Sequence, residues 1–324
     1  MVSIGITTRE ELDAALPALF EAVRVVYEDG SEDDGLFDAN RPLMNGDIAI
    51  VEAAMLALAN DPRWQARAAV AQVLRYLVGP SAPTRVERPI DRALERACLL
   101  VGMAQTEGDA RVRLALVSAF VDLKHDIGDV LAAAFVCRFA NEPDASMRGA
   151  VVAALCGNQS DQAIATLITL SRDADESVRD WACFGLGHQL GSPGMPGGIV
   201  DTDEIRDALA ARLDDPNVEA SEEAATGLAL RGDPRGIERM LLALERFEQD
   251  GVTERVLMTA SEAPDARYVP RLEEIVRECP ALQSAVRALE DCRAVKPRFL
   301  CGSPRQHAGC DCFRAMNVGK PRAL

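Results

Sequence analysis

The sequence predicts an all-α fold, an alpha-alpha superhelix in which antiparallel helix pairs stack side by side into a solenoid. Three observations predict it. One apolar pattern of helical period recurs along the chain. A second amphipathic helix follows each copy. Short turns rich in Gly, Asp and Pro join the two. A single pair cannot bury both of its apolar edges, so neighbours must stack to complete the core.

The elements can be justified in order. Thr8 with Glu11 has capping-box spacing and opens a helix to about Val26. Residues 28–38, EDGSEDDGLFD, read as a solvated acidic loop. Their acids do not fall at EF-hand spacing. Residues 47–59 read as an Ala-rich helix. The first full stripe is Ala66, Ala69, Val70, Val73, Leu74 and Leu77. The same offsets give Val112, Ala115, Leu116, Ala119, Phe120 and Leu123, then Met147, Ala150, Val151, Ala154 and Leu155, then Val178, Trp181, Ala182, Gly185 and Leu186. A fifth, weaker copy has Ala220, Ala224, Gly227 and Leu228, with Glu223 and Arg231 in slots that should be apolar. Asn, Asp, Glu and Pro precede the first four stripes, as helix starts require.

The second helices read as Ile90, Leu94, Ala97, Val101; Ile127, Val130, Leu131, Ala134; Ile164, Leu167, Ile168; Ile205, Ala208, Leu209, Leu213; and Ile237, Met240, Leu241, Leu244. Asp201 with Glu204 suggests a reciprocal cap on the fourth. Segments 252–262 and 268–278 read as a last pair, with Pro264 and Pro270 at starts. Beyond Val295 the periodicity stops. The expected organisation is an N-terminal helix and acidic loop (1–46), the repeat array (47–290) and a Cys-rich, poorly ordered tail (291–324).

Composition bounds the function. The chain has 324 residues, 48% hydrophobic and 27% charged, with 35 basic against 51 acidic residues and a net charge of −16. That mean field repels a phosphate backbone, so no nucleic-acid partner is expected. No apolar run approaches the roughly 18 residues of a membrane span. The start lacks a basic region followed by an apolar stretch. A cytoplasmic protein without a membrane partner is the expectation. Cys98, Cys137, Cys156 and Cys183 lie singly in apolar stretches and read as small core residues.

The segment DESVRDWACFGLG at 175–187 resembles the HEAT-like repeat, of the type found in phycobilisome lyases. The stretch GLALRGDPRGIERML at 227–241 resembles that repeat's central turn. The resemblance covers roughly 47–290 and implies a HEAT-like solenoid. Such arrays serve as binding surfaces, adaptors and a few enzymes. Deoxyhypusine hydroxylase, a relative of this class, holds iron with His–Glu pairs. Here the histidines are followed by Asp126, Gln189 and Ala308, so the dyads are absent. HEAT-like alkylpurine glycosylases use a basic, aromatic-rich groove, whereas this chain is acidic and 4% aromatic. Bilin lyases share the repeat, and no separate motif marks chromophore handling.

Individual residues carry the remaining expectations. Arg67, Arg113, Arg148 and Arg179 each follow the first stripe residue and are expected to pair with acids of the preceding turn, such as Asp144 or Asp175, rather than to form an anion track. Trp181 occupies a stripe slot and is expected in the core. Gly185 and Gly187 are expected to permit a close helix approach. His125 and His188 lack a Ser or Cys partner at a readable spacing, so no catalytic residue is assigned. In the tail, Cys301, His307, Cys310 and Cys312 could supply four soft ligands to tetrahedral zinc. Their spacing resembles a degenerate SEC-C motif, with Phe299 and Asp311 where that motif has ligands. No other cofactor is expected. The reading is a non-catalytic scaffold or adaptor that binds a protein or peptide with a basic patch. The alternatives are a lyase-type HEAT-repeat enzyme or chaperone acting on a bilin-like group, and a zinc-tail adaptor.

Overall fold

The computed structural model describes residues 5–29, 34–77, 90–191, 198–246 and 254–295. Among them the regular structure is helical and no strand occurs. The chain divides into two compact units, Met1–Met240 and Leu241–Leu324.

In the first unit, α1 (Arg9–Arg24) opens on the expected capping box. The Thr8 hydroxyl accepts from the Glu11 N–H, and the Glu11 carboxylate accepts from the Thr8 N–H. Leu12, Leu16, Leu19 and Val23 form its buried face. The helix ends in a π-turn, Val25–Asp29. The acidic loop expected at 28–38 is corrected here. From Asp34 the chain is helical, and α2 (Asp34–Met44) buries Leu36, Asn40 and Leu43. Those positions share one helical face. Buried Asn40 donates to the Gln72 carbonyl at 2.8 Å. Next comes α3 (Ile48–Leu58), capped by Asp47, which fits the predicted Ala-rich helix. All three helices pack on α4 (Trp64–Tyr76). They cover the open end of the first stripe helix, so Ala68 to Leu74 are buried without interruption.

In chain order, first helices and the second helices that follow them are α4 then α5 (Ile90–Thr106), α6 (Ala110–Ser118) and α7 (Phe120–Ile127) then α8 (Asp129–Val136), α9 (Ala145–Leu155) then α10 (Asp161–Leu170), α11 (Glu176–Phe184) then α12 (Asp203–Ala210), and α13 (Val218–Leu230) then α14 (Pro234–Glu245), which the boundary between the units divides after Met240. Helix α5 packs on α6 and α7. First helices touch in series, α4 to α6, α6 to α9, α9 to α11 and α11 to α13. The first two stripes are buried at every position. In the fifth copy Glu223 and Arg231 are buried beside Ala220, Ala224 and Leu228, so the polar residues keep the stripe register.

Two second-helix stripes shift from expectation. On α8 the buried residues are Ala132, Ala133, Phe135 and Val136, and Val130 and Leu131 are exposed. The cause is Gly128, whose φ of 87° ends α7 after Ile127 and restarts the chain in a new direction. On α5 the buried line is Ala93, Ala97, Leu100 and Met103. The cap of α12 is Thr202, whose hydroxyl accepts from the Ile205 N–H, while Asp201 pairs with Arg206 at 2.6 Å instead.

Past Phe184, α11 widens into a π-turn, Gly185–Gln189. There Gly187 meets Gly227 of α13. A Cβ built on Gly227 would stand 2.3 Å from the Gly187 Cα, and one on Gly187 would stand 2.7 Å from the Glu223 carbonyl oxygen. This is the close approach that the paired glycines predict.

The second unit contains α15 (Glu254–Glu262), a 3-10 turn (Ala266–Tyr268), α16 (Val269–Glu278) and α17 (Gln283–Ala294). Both α15 and α16 pack on α17, and Pro270 lies in the first turn of α16. Tyr268 and Cys292 are buried.

Candidate interaction surface

The four recurrent arginines form a ladder between successive repeats. Asp109, Asp144, Asp175 and Asn217 cap the first helices, and each side chain accepts a backbone N–H of the first turn. Two residues before each cap stands another acid: Glu107, Glu142, Asp173 or Asp215. The guanidinium of one repeat reaches the acid of the next. Arg67 meets Glu107 at 2.7 Å, Arg148 meets Asp173 at 2.7 Å and Arg179 meets Asp215 at 2.9 Å, all bidentate. The Arg113–Glu142 rung is looser, at 3.7 Å. The remaining nitrogen donates to two carbonyls of the arginine's own preceding turn, Asp61 and Pro62, Glu142 and Pro143, or Asp173 and Ala174.

The expected pairing is therefore corrected in direction. For Arg148 and Arg179 the preceding turn supplies carbonyl oxygens, because Asp144 and Asp175 are occupied as caps; for Arg67 it does so because Asp61 is taken by Arg63. The following turn supplies the carboxylate. The hydrogen bonds from Arg148 hold Asp173 below the usual carboxylate range. For Asp215 burial pushes upward most strongly, and the Arg179 bonds with the Asn217 N–H outweigh it and lower the pKa. The fifth repeat has Ser221 in the arginine slot, and its hydroxyl donates to the Leu213 carbonyl.

Trp181 is the largest departure from expectation, since 52% of it is exposed. The equivalent slots hold Ala69 and Ala115, both buried, and Ala150. Alanine fits where first helices cross closely. An indole does not, and it swings out over the neighbouring helix. Its ring stands edge-on to Phe184 at 5.6 Å, and Phe184 lies 5.5 Å from the His188 ring. Beside this ridge lies a hollow of about 470 Å³ between α9 and α11, lined by Gly149, Ala150, Ala153, Val178 and Trp181, with Ser146, Ser177 and Asp175 at its rim. A tryptophan in a slot that is otherwise alanine was the sequence signal for it.

On the second helices, Asp161, Asp203, Glu204 and Asp207 are exposed, together with Val130 and Leu131. Arg206, among them, is engaged by Asp201 and Asp233. Of the four cysteines expected in the core, Cys183 is buried, Cys137 and Cys156 are half-buried, and Cys98 is exposed. Cys301, His307, Cys310 and Cys312 lie outside the described residues. Among the described residues no group of three or more His, Cys, Asp or Glu side chains could hold a metal ion. No described helix is long and apolar enough to cross a membrane.

Helix pairs in series, joined by a shared arginine at each step, define the class: an all-α helical-repeat superhelix. The chain is similar to a particular protein of that class, Protein YibA of Escherichia coli. It is 26% identical to YibA from strain K12, and equally to YibA from O157:H7, over 137 residues, 42% of this chain and 45% of YibA. The chain thus matches less than half the length of these curated relatives. The X-ray structure of E. coli YibA superposes with a TM-score of 0.60 at 17% identity, over 88% of this chain and 97% of that one, a likeness of fold. No protein-family model matches the chain.

Proposed function

We propose that the protein is a non-catalytic adaptor whose second helices bind a protein or peptide bearing a basic patch. The observation that carries this reading is a charge imbalance left over after internal pairing. The ladder arginines are each committed to a neighbouring repeat, so they offer little to a partner. Asp161, Asp203 and Glu204 stay exposed, and Asp207, 78% exposed, is held only loosely by Arg235 at 3.8 Å, with apolar Val130 and Leu131 on the same set of helices. Acids around an apolar contact favour a cationic partner and speed its approach. Pull-down of the native partner at low and high salt tests the reading. Capture should fall as salt rises, and fall further when the four carboxylates are changed to Asn or Gln. Salt-insensitive capture, or capture unaffected by those changes, overturns it.

A further inference from the structure

We propose a second docking site on the first helices: the hollow between α9 and α11 receives an arginine-bearing segment of a partner protein, with a guanidinium over the Trp181 ring and an aliphatic side chain in the hollow. Four observations converge on this occupant.

The first is how this chain treats four of its other aromatic rings. Arg41 lies over Phe37, Arg63 over Phe20, Arg75 over Tyr76 and Arg111 over Trp64, the last at 3.9 Å from the ring centre. Trp181 is half-exposed, and among the described residues no guanidinium lies over it. Indole gives the strongest ring–cation attraction of the aromatic side chains. The second is charge. The turns and helices around the hollow carry Glu142, Asp144, Asp173, Asp175, Glu176 and Asp180 against Arg148, Arg172 and Arg179. Arg148 is bound bidentately by Asp173 of this same set, Arg179 by Asp215, and Arg113 lies 3.7 Å from Glu142; the acids that remain, Asp144, Asp175 and Glu176 among them, outnumber Arg172, so an incoming cation meets an acidic rim.

The third is shape. The hollow's floor is Gly149, Ala150, Ala153 and Val178, small apolar residues that leave about 470 Å³ for a side chain. A Cβ built on Gly149 would meet nothing within 4 Å, so the space is not needed for helix packing. The fourth is support. Trp181 is backed edge-on by Phe184, and the Arg179–Asp215 rung two residues earlier holds α11 against the next repeat, so the indole is presented on a rigid helix. This site uses the first helices, and so it stands or falls separately from the second-helix reading above.

The test uses the full chain with a fluorescein-labelled peptide carrying two Arg-Leu-Arg triplets, and a counterpart with citrulline in place of each arginine. Fluorescence anisotropy at low salt should show binding of the arginine peptide and at least fivefold weaker binding of the citrulline peptide. In a Trp64→Phe background Trp181 is the single tryptophan, and its emission should change as the peptide binds. Trp181→Ala should weaken binding about fivefold or more without loss of helicity by circular dichroism. Gly149→Leu should fill the hollow, abolish binding and leave the melting temperature unchanged or higher. Equal binding of the two peptides, or unchanged binding in both variants, overturns the proposal. Self-association that Trp181→Ala abolishes would seat a second copy there and would also overturn it. Neutralising Asp161, Asp203, Glu204 and Asp207 should leave the emission response of Trp181 in place.

Discussion

The guanidinium of Arg231 is wholly enclosed and donates to four carbonyls: Leu186 and Gly187 of the π-turn, Gly227 of α13 and Val200 of the incoming loop. Burial is the main influence on it and pushes its pKa down to about 10, so it stays charged at neutral pH. The side chain answers the carbonyls that a widened helical turn leaves open. Arg231→Ala should therefore cost about 3 kcal/mol or more in denaturant unfolding, since four buried acceptors lose their donor at once. A loss below about 1 kcal/mol would show that water replaces it. From sequence, Arg231 read only as a misfit in an apolar slot. Its slot was legible and its task was not, because its partners are main-chain oxygens, which carry no residue code. Trp181 failed for the opposite reason. Periodicity reports which way a Cα faces, and it does not report whether the space there fits alanine or indole.

Among the elements, first helices were read well and second helices less so. Stripes at 66–77 and 112–123 are buried throughout because each first helix is covered on several sides. On α8 apolar residues lie all round, so pattern alone could not tell Val130 and Leu131 from the buried Phe135 and Val136. Only the turn at Gly128 sets which face points inward. The crossing of the π-turn with α13 at Gly187 and Gly227 gives a sharp prediction. Gly→Ala in an exposed helix gains up to ~1 kcal/mol. Gly227→Ala should instead destabilise by ~1–3 kcal/mol, because its methyl meets the Gly187 backbone, which has no side chain to move aside. A raised melting temperature for Gly227→Ala would show that the two elements can part at no cost.

At the scale of the whole molecule, acid should loosen the stack. Hydrogen bonds from Arg235 are the largest influence on Asp233 and, with Arg206, hold it at about 2, against 3.8 for an ordinary Asp. Arg148 lowers Asp173 likewise. Burial raises Glu107 most, yet the Arg67 bonds bring it below its ordinary value. Such carboxylates bind protons less readily folded than unfolded. Their stabilisation is present in full above about pH 4 and is lost as pH falls toward about 2. Melting temperatures measured from pH 7 to pH 3 should be level at first and then drop below about pH 4. A flat profile to pH 3 would mean that the carboxylates add nothing.

The arginine rung has one more consequence, for how such a chain can lengthen or shorten. Each joint mates a guanidinium from one module with a carboxylate from the next, and the mating parts are alike at three of the four joints. Deleting one complete module, from cap to cap, would bring the loose arginine to an equivalent acid. A cut inside a module would strand one of each. The permitted unit of growth is therefore the whole module.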